Sequence, residues 1–285
     1  MRRTGFSLIE VVAVIAVVGV LVAVLLPGLQ ARREAARRSR CADNCRLMGL
    51  GIGRYESARR TFPPGCDAFS ADPKNDPPRL HAWSSFILPY LDGTPVPVTV
   101  DYDKGWNAPG GNDVASDAIL PVYVCPSGIE RFPGKQDYAG VHGTSVNRSG
   151  VERPVEDWEH SGVLYSTDDE AHRLPATVAM VPDGLGQTLL VAESVDRSYS
   201  TPEHPDGNTD SPIGASRWAN GYSCVHLASR VINDPTVNAF LSLHPGGIET
   251  LFADGRVVFL SDDIDGDVLV AICTRSGGEP VPKGF

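Results

Sequence analysis

The chain has 285 residues and a mass of 30.5 kDa, the size of one large domain or two ordinary ones. Hydrophobic residues make up 42% and charged residues 21%, with 29 Gly and 23 Pro. This excludes collagen-like, coiled-coil and polytopic membrane proteins and predicts a turn-rich globular body. The formal charge of −10 is unevenly spread, because residues 1–60 hold eleven Arg against four acidic residues and the remainder is strongly acidic. An acidic body lacks the basic footprint that phosphate binding needs, so no nucleic-acid partner is expected.

The first predicted element is the stretch from Phe6 to Leu26, whose one strongly polar member is Glu10. As a helix these residues extend about 31 Å at ~1.5 Å per residue, enough to cross a hydrocarbon core of ~30 Å. The run ends in Leu25-Leu26-Pro27-Gly28 without a small-x-small cleavage site, so the reading is a retained anchor and not a removed secretory signal. Pro27 removes a helix hydrogen bond near the membrane exit. Glu10 requires an explanation, since a carboxylate within a spanning helix costs roughly 2.5–3.5 kcal/mol on insertion scales.

Beyond the span, Arg32, Arg33, Arg37, Arg38 and Arg40 read as a solvated helix face beside the membrane. A bare positive-inside count would put them in the cytoplasm. Helical signal continues from Leu29 to Arg60 and stops at Thr61-Phe62-Pro63-Pro64-Gly65. Cys41, Cys45, Met48, Ile52 and Tyr55 fall on one face, predicting a stripe packed under the head. Gly49, Gly51 and Gly53 weaken this helix intrinsically, so its last turns either depend on that packing or permit close backbone approach.

In the head, Trp83–Leu91 reads as a short helix ending at Asp92-Gly93. Val96–Val100, Val122–Val124 and Gln187–Glu193 read as strands, and residues 101–113 and 199–216 as surface loops. Ile248–Phe252 and Val257–Leu260 flank Asp254-Gly255, a strong hairpin signal, and a two-residue type I′ turn with positive φ at both positions is expected. Asp265 or Asp267 would cap a last helix, Val268–Arg275.

Little in the pattern points to chemistry. Ser242, His244 and Asp254 have the residue types of a hydrolase triad, but no nucleophile elbow accompanies them, and no catalytic residue is assigned. Seven His occur without an H-x3-H pair or an HExxH motif, so no metal or cofactor is assigned, and a metal site would require long-range assembly. Asp263-Ile264-Asp265-Gly266-Asp267 has its Gly misplaced for a calcium loop and reads as a turn or cap. Asp183-Gly184-Leu185-Gly186 reads as a turn before a strand. Because Cys41 and Cys45 share a buried stripe, at least one is expected to remain a free thiol, with bridges among Cys66, Cys125, Cys224 and Cys273.

Met1-Arg2-Arg3-Thr4-Gly5-Phe6-Ser7-Leu8-Ile9-Glu10 resembles the leader of type IV prepilins and pseudopilins. The resemblance implies cleavage between Gly5 and Phe6 by a prepilin peptidase, N-methylation of Phe6, and pairing of Glu10 with a neighbouring subunit's amine. It also outweighs the positive-inside count, implying a cytoplasmic N-terminus, a single pass of the inner membrane and a head in the periplasm or extracytoplasmic space. A second resemblance links Ser242-Leu243-His244-Pro245-Gly246-Gly247 with Phe252-Ala253-Asp254-Gly255. It is to the H-x9-D-G box of a large, planctomycete-expanded family of prepilin-leader proteins of unknown function. Further matches are Cys41, Asn44, Phe62-Pro63-Pro64-Gly65, Leu88-Pro89-Tyr90-Leu91, Cys125-Pro126-Ser127, Asp183-Gly184 and Thr188–Glu193, whereas Cys45 stands where that family usually has Leu.

These readings give an α+β, pilin-like expectation: a long N-terminal helix packed on a mixed or antiparallel β-sheet head. The divisions are a leader over 1–5, a transmembrane segment over 6–26, a helix extension over 27–61 and a head over 62–285. The expected function is a pseudopilin-like structural subunit, not an enzyme, partnered by like subunits or other pseudopilins. His244, Asp254 and Gly255 are expected to be architectural. The alternatives are a monomeric tethered ligand-binding protein or a tethered hydrolase.

Overall fold

The computed structural model describes residues 8–68, 79–93, 99–129, 132–144, 161–167, 174–195, 217–221, 225–234, 239–279 and 281. Helix α1 (Leu8–Arg59) is 52 residues long and continues through Pro27. Residues 8–33 are exposed along their whole length, about 39 Å of helix at ~1.5 Å per residue. Among the described residues, α1 is the helix long and apolar enough to cross a membrane.

From Glu34 onward the same helix enters the head. Cys41, Cys45 and Met48 are fully buried and Ile52 nearly so, with Tyr55 packed at the edge of the same cluster. Burying a side chain of this size contributes about 1.5–3 kcal/mol. The helical glycines then separate by role. A Cβ on Gly49 would lie 2.9 Å from Leu251 Cδ1 and one on Gly51 2.7 Å from Leu91 Cδ2, whereas one on Gly53 meets nothing within 4 Å. Close approach is thus the use of the first two.

The described head contains a five-stranded sheet in the order β3-β1-β2-β4-β5, built from β1 (Tyr138–Thr144), β2 (Leu189–Glu193), β3 (Val225–Ala228), β4 (Gly247–Phe252) and β5 (Val257–Ser261). β3 runs parallel to β1, and the other pairings are antiparallel. One face carries α1, with Tyr138, Leu190, Val191 and Leu251 beneath it. The opposite face carries a terminal helix over Gly266–Cys273, which with Ala139, Leu189, Ala192, Ile248 and Phe252 forms a second core. A register shift between Leu189 and Val191 lets two successive residues, Leu190 and Val191, both serve the α1 side. The architecture is α+β and pilin-like, with its sheet between a long helix and a short one.

Smaller elements depart from expectation where proline intervenes. Trp83–Leu91 is an α-helix, α2 (Trp83–Ile87), tightened into a 3-10 turn over Leu88–Tyr90 at Pro89, and Gly93 follows with φ +71°. Val122–Val124 is not a strand. Pro121 starts a 3-10 turn over Pro121–Tyr123, closed by Tyr123 N–H to Leu120 O at 2.9 Å. The loop expected over 101–113 gives way at its end to α3 (Asn112–Ser116). β2 starts at Leu189, since Leu185–Gln187 forms a 3-10 turn after Gly184 at φ +97°. The expected strand Val96–Val100 lies outside the described residues up to residue 98, and 99–100 are not in a strand; the loop at 199–216 also lies outside them.

The hairpin forms where expected with a different turn. Phe252 N–H bonds Arg256 O and Gly255 N–H bonds Phe252 O, both at 2.9 Å. Gly255 has φ +88°, but Asp254 is not among the positive-φ residues. The connection is therefore the three-residue loop with a left-handed glycine and not type I′. Asp254 Oδ1 accepts from Arg256 N at 2.9 Å, and Asp254 N donates to Leu185 O at 3.1 Å, which seats the tip on the preceding turn. Asp265 is the cap of the terminal helix, now α4 (Gly266–Cys273), and accepts from Asp267 N at 2.7 Å.

Candidate functional site

Four elements converge where α1 enters the head. Cys41 sits on α1. Cys125 follows the 3-10 turn, where Gly128 N–H closes the Cys125-Pro126-Ser127 turn onto Cys125 O at 3.0 Å. Asp137 Oδ2 accepts from Cys125 N at 2.8 Å and, through Oδ1, faces Lys135 Nζ at 3.1 Å with both side chains buried. Asn44 Nδ2 ties α1 to the turn through Val124 O at 3.2 Å and to Tyr138 Oη at 3.3 Å. Glu193 closes β2. His244 lies in the loop entering β4, its N–H donated to Ser242 Oγ at 3.1 Å.

The side chains of these residues meet in the interior. Cys41 Sγ is 3.0 Å from Cys125 Sγ, and Cys125 Sγ is 3.7 Å from His244 Nε2. Glu193 Oε1 is 3.3 Å from His244 Nε2, and Glu34 Oε1 on α1 is 2.5 Å from His244 Nδ1. Glu193 Oε2 accepts from Glu249 N at 2.8 Å, while the Glu249 carboxylate pairs with Arg38 at 3.0 Å. Arg38 lies over the Phe259 ring, and Arg37 donates to Ser127 Oγ at 3.0 Å. Two of the five arginines after the span therefore bind helix to head.

Electrostatics follow from this packing. The hydrogen bond from Cys41 pulls the Cys125 thiol down to about 6 against the opposing effect of burial, with His244 assisting. That same bond, with burial and the Glu193 charge, pushes Cys41 up. Burial would lower His244, but its bonds to Cys125, Glu193 and Glu34 prevail and raise it to about 11. Cys45, one helical turn beyond Cys41, is pushed up chiefly by burial.

Cys41, Cys125, Glu193 and His244 thus present one sulfur, nitrogen or oxygen atom each, all within 4.8 Å of one another, and all four residues are buried. Such a set can bind a metal ion or carry thiol chemistry. Cys41, Cys45, Cys125 and Cys273 are free thiols, and the sulfur in contact with Cys125 is that of Cys41, outside the group Cys66, Cys125, Cys224 and Cys273 expected to supply bridges. Cys224 lies outside the described residues, as do Gly5 and Phe6. Glu10 is on the exposed apolar part of α1. His244 joins the cluster, whereas Asp254 and Gly255 stand at the hairpin tip, and the partners recorded for the His244 ring are Glu34, Cys125 and Glu193. Ser242, His244 and Asp254 accordingly do not form a triad.

The sequence contained Cys41, Cys125, Glu193 and His244 in four separate motifs. No spacing links them, because Cys41 and Cys125 are 84 positions apart and Cys125 and His244 119. Glu34 carried no signal beyond its charge.

An 89-residue segment is 25% identical to the type II secretion system core protein G of Vibrio cholerae serotype O1, covering 30% of this chain and 61% of that protein. No solved structure matches the chain. Residues 30–267, which include all four converging side chains and the hairpin, match one family throughout, and the chain belongs to that family, described as protein of unknown function (DUF1559).

Proposed function

We propose that the chain is a membrane-anchored, pseudopilin-like structural subunit. The observation that carries this reading is the division of α1: an exposed rod over residues 8–33, apolar but for Glu10 as far as Leu29, that continues without a break into a half clamped on the sheet. A rod of this kind transmits position from bilayer to head and offers its apolar length to lipid or to the same helix of another subunit. The similarity to a type II secretion core protein supports the same reading. In it, residues 1–5 are the leader, prepilin peptidase cuts between Gly5 and Phe6, and Phe6 is N-methylated. Glu10 pairs with the new amine of a neighbouring subunit, which offsets the cost of placing a carboxylate in the bilayer. The N-terminus faces the cytoplasm and the acidic head the periplasm or extracytoplasmic space, with like subunits or other pseudopilins as partners.

Mass spectrometry of the membrane-extracted protein tests processing. An N-terminal peptide beginning at methylated Phe6 is expected, and an intact Met1 or Arg2 in peptidase-positive cells would overturn it. Glu10→Leu should insert in the membrane at least as well as wild type while giving fewer crosslinked higher-order species. Equal crosslinking would remove the pairing role.

A further inference from the structure

We infer that Cys41, Cys125, Glu193 and His244 form a closed, four-coordinate site for a thiophilic divalent metal ion, zinc by its donor set, which staples the apolar helix to the head. Two sulfurs, an imidazole nitrogen and a carboxylate oxygen are all ligand types that zinc takes, and softer sulfur donors disfavour magnesium or calcium. With Zn–S near ~2.3 Å and Zn–N or Zn–O near ~2.0–2.1 Å, the edges of a tetrahedron are about 3.3–3.8 Å. The Glu193 Oε1 to His244 Nε2 distance of 3.3 Å and the His244 Nε2 to Cys125 Sγ distance of 3.7 Å already match such edges. The sulfurs, 3.0 Å apart, have to separate by less than about 1 Å on loading.

The surroundings are arranged as a second layer. Glu34 Oε1 holds His244 Nδ1, which directs Nε2 inward, the carboxylate–histidine arrangement that orients metal-binding imidazoles. Glu249 N–H holds Glu193 Oε2 and leaves Oε1 facing the cluster. That oxygen is fully buried, and its contact with the His244 ring is long, at 3.3 Å. Buried carboxylate oxygens are normally well satisfied, and an ion at the centre would give this one a closer partner than the imidazole. A Cys41–Cys125 disulfide would join the same elements but would leave this oxygen with the long His244 contact alone. Because four protein ligands complete the shell and no position faces solvent, the role is structural and not catalytic. The inference goes beyond the assembly reading and holds whether or not subunits associate.

The test uses the full chain in detergent, purified without chelator. Elemental analysis should find about one zinc per chain. After chelator treatment under reductant, cobalt(II) should produce the intense visible bands and sulfur-to-metal charge-transfer absorption of a tetrahedral two-thiolate site, and zinc should abolish them. Cys41→Ser/Cys125→Ser should bind neither ion there. Glu34→Gln, which keeps every ligand, should weaken zinc binding by about 10–100-fold. The inference fails if the reduced wild-type chain gives no cobalt band, if the double serine variant keeps the bands, or if the isolated protein is metal-free with Cys41 and Cys125 recovered as one disulfide-linked peptide.

Discussion

The two halves of α1 share one backbone and differ in everything around it. Residues 8–29 are exposed and apolar on all sides but for Glu10, while residues 34–59 bury a stripe and send charged side chains to specific partners. An all-apolar helix has no preferred face, so its orientation must come from lipid or from other helices. A one-sided helix is oriented by its own domain. The lesson is that a single continuous helix carries an assembly surface and a folding surface in series, and each half is sensitive to different substitutions.

The largest expected effect lies in the packed half's support. Asp137 faces the buried Lys135 and accepts the Cys125 N–H. Asp137→Ala removes the carboxylate opposite a buried ammonium and should cost about 3–5 kcal/mol. Denaturant unfolding of the detergent-solubilised chain measures it, and a loss below about 1 kcal/mol would show that the Cys125 turn is held in place by other contacts.

Glycine replacements compare the halves more directly. Gly51→Leu drives a side chain into Leu91 and Ile87 and should cost about 1–3 kcal/mol of head stability. Gly53→Ala, two residues on, meets open space and should stabilise by about 1 kcal/mol through helix propensity. Gly19→Ala, in the exposed half, should leave head melting unchanged. If Gly19→Ala lowered the melting temperature as much as Gly51→Leu, the separation of the two surfaces would be wrong.

This contrast was largely legible in the sequence, because both halves are written in local pattern: uninterrupted apolar residues first, then buried positions spaced by three and four. The Asp265 cap and the hairpin's location were legible for the same reason. Val122–Val124 misled because three apolar residues satisfy a strand pattern while Pro121 favours a tight turn. The hairpin turn was misassigned because Asp-Gly serves two loop lengths, and the choice depends on how Asp254 seats against Leu185. The Cys41, Cys125, Glu193 and His244 cluster was illegible as a unit. Its members come from a helix, a turn, a strand end and a loop, and only the packing of α1 and the loops against the sheet brings them together.

A pH scan sharpens the comparison at its finest scale. Between residues 8 and 31 the sole ionisable side chain is Glu10, so pH effects on head melting must arise outside that segment. His81 is one: fully buried, with its Nε2 2.8 Å from Lys104 O and its ring against Phe86 and Tyr102. Burial lowers its pKa from the ordinary 6.5, only partly countered by the Lys104 carbonyl and the Asp67 charge. The unfolded chain therefore takes up a proton first as the pH falls. The contribution of neutral His81 is complete above pH 6.5 and is lost progressively below it, until the folded form also protonates, with a slope of at most about 1.4 kcal/mol per pH unit. His81→Gln keeps a donor for Lys104 O and cannot titrate. Its stability should fall less steeply than wild type below pH 6.5 and run parallel above it. Parallel curves over the whole range would mean that His81 protonates equally in both states and that the acid sensitivity of the head resides elsewhere.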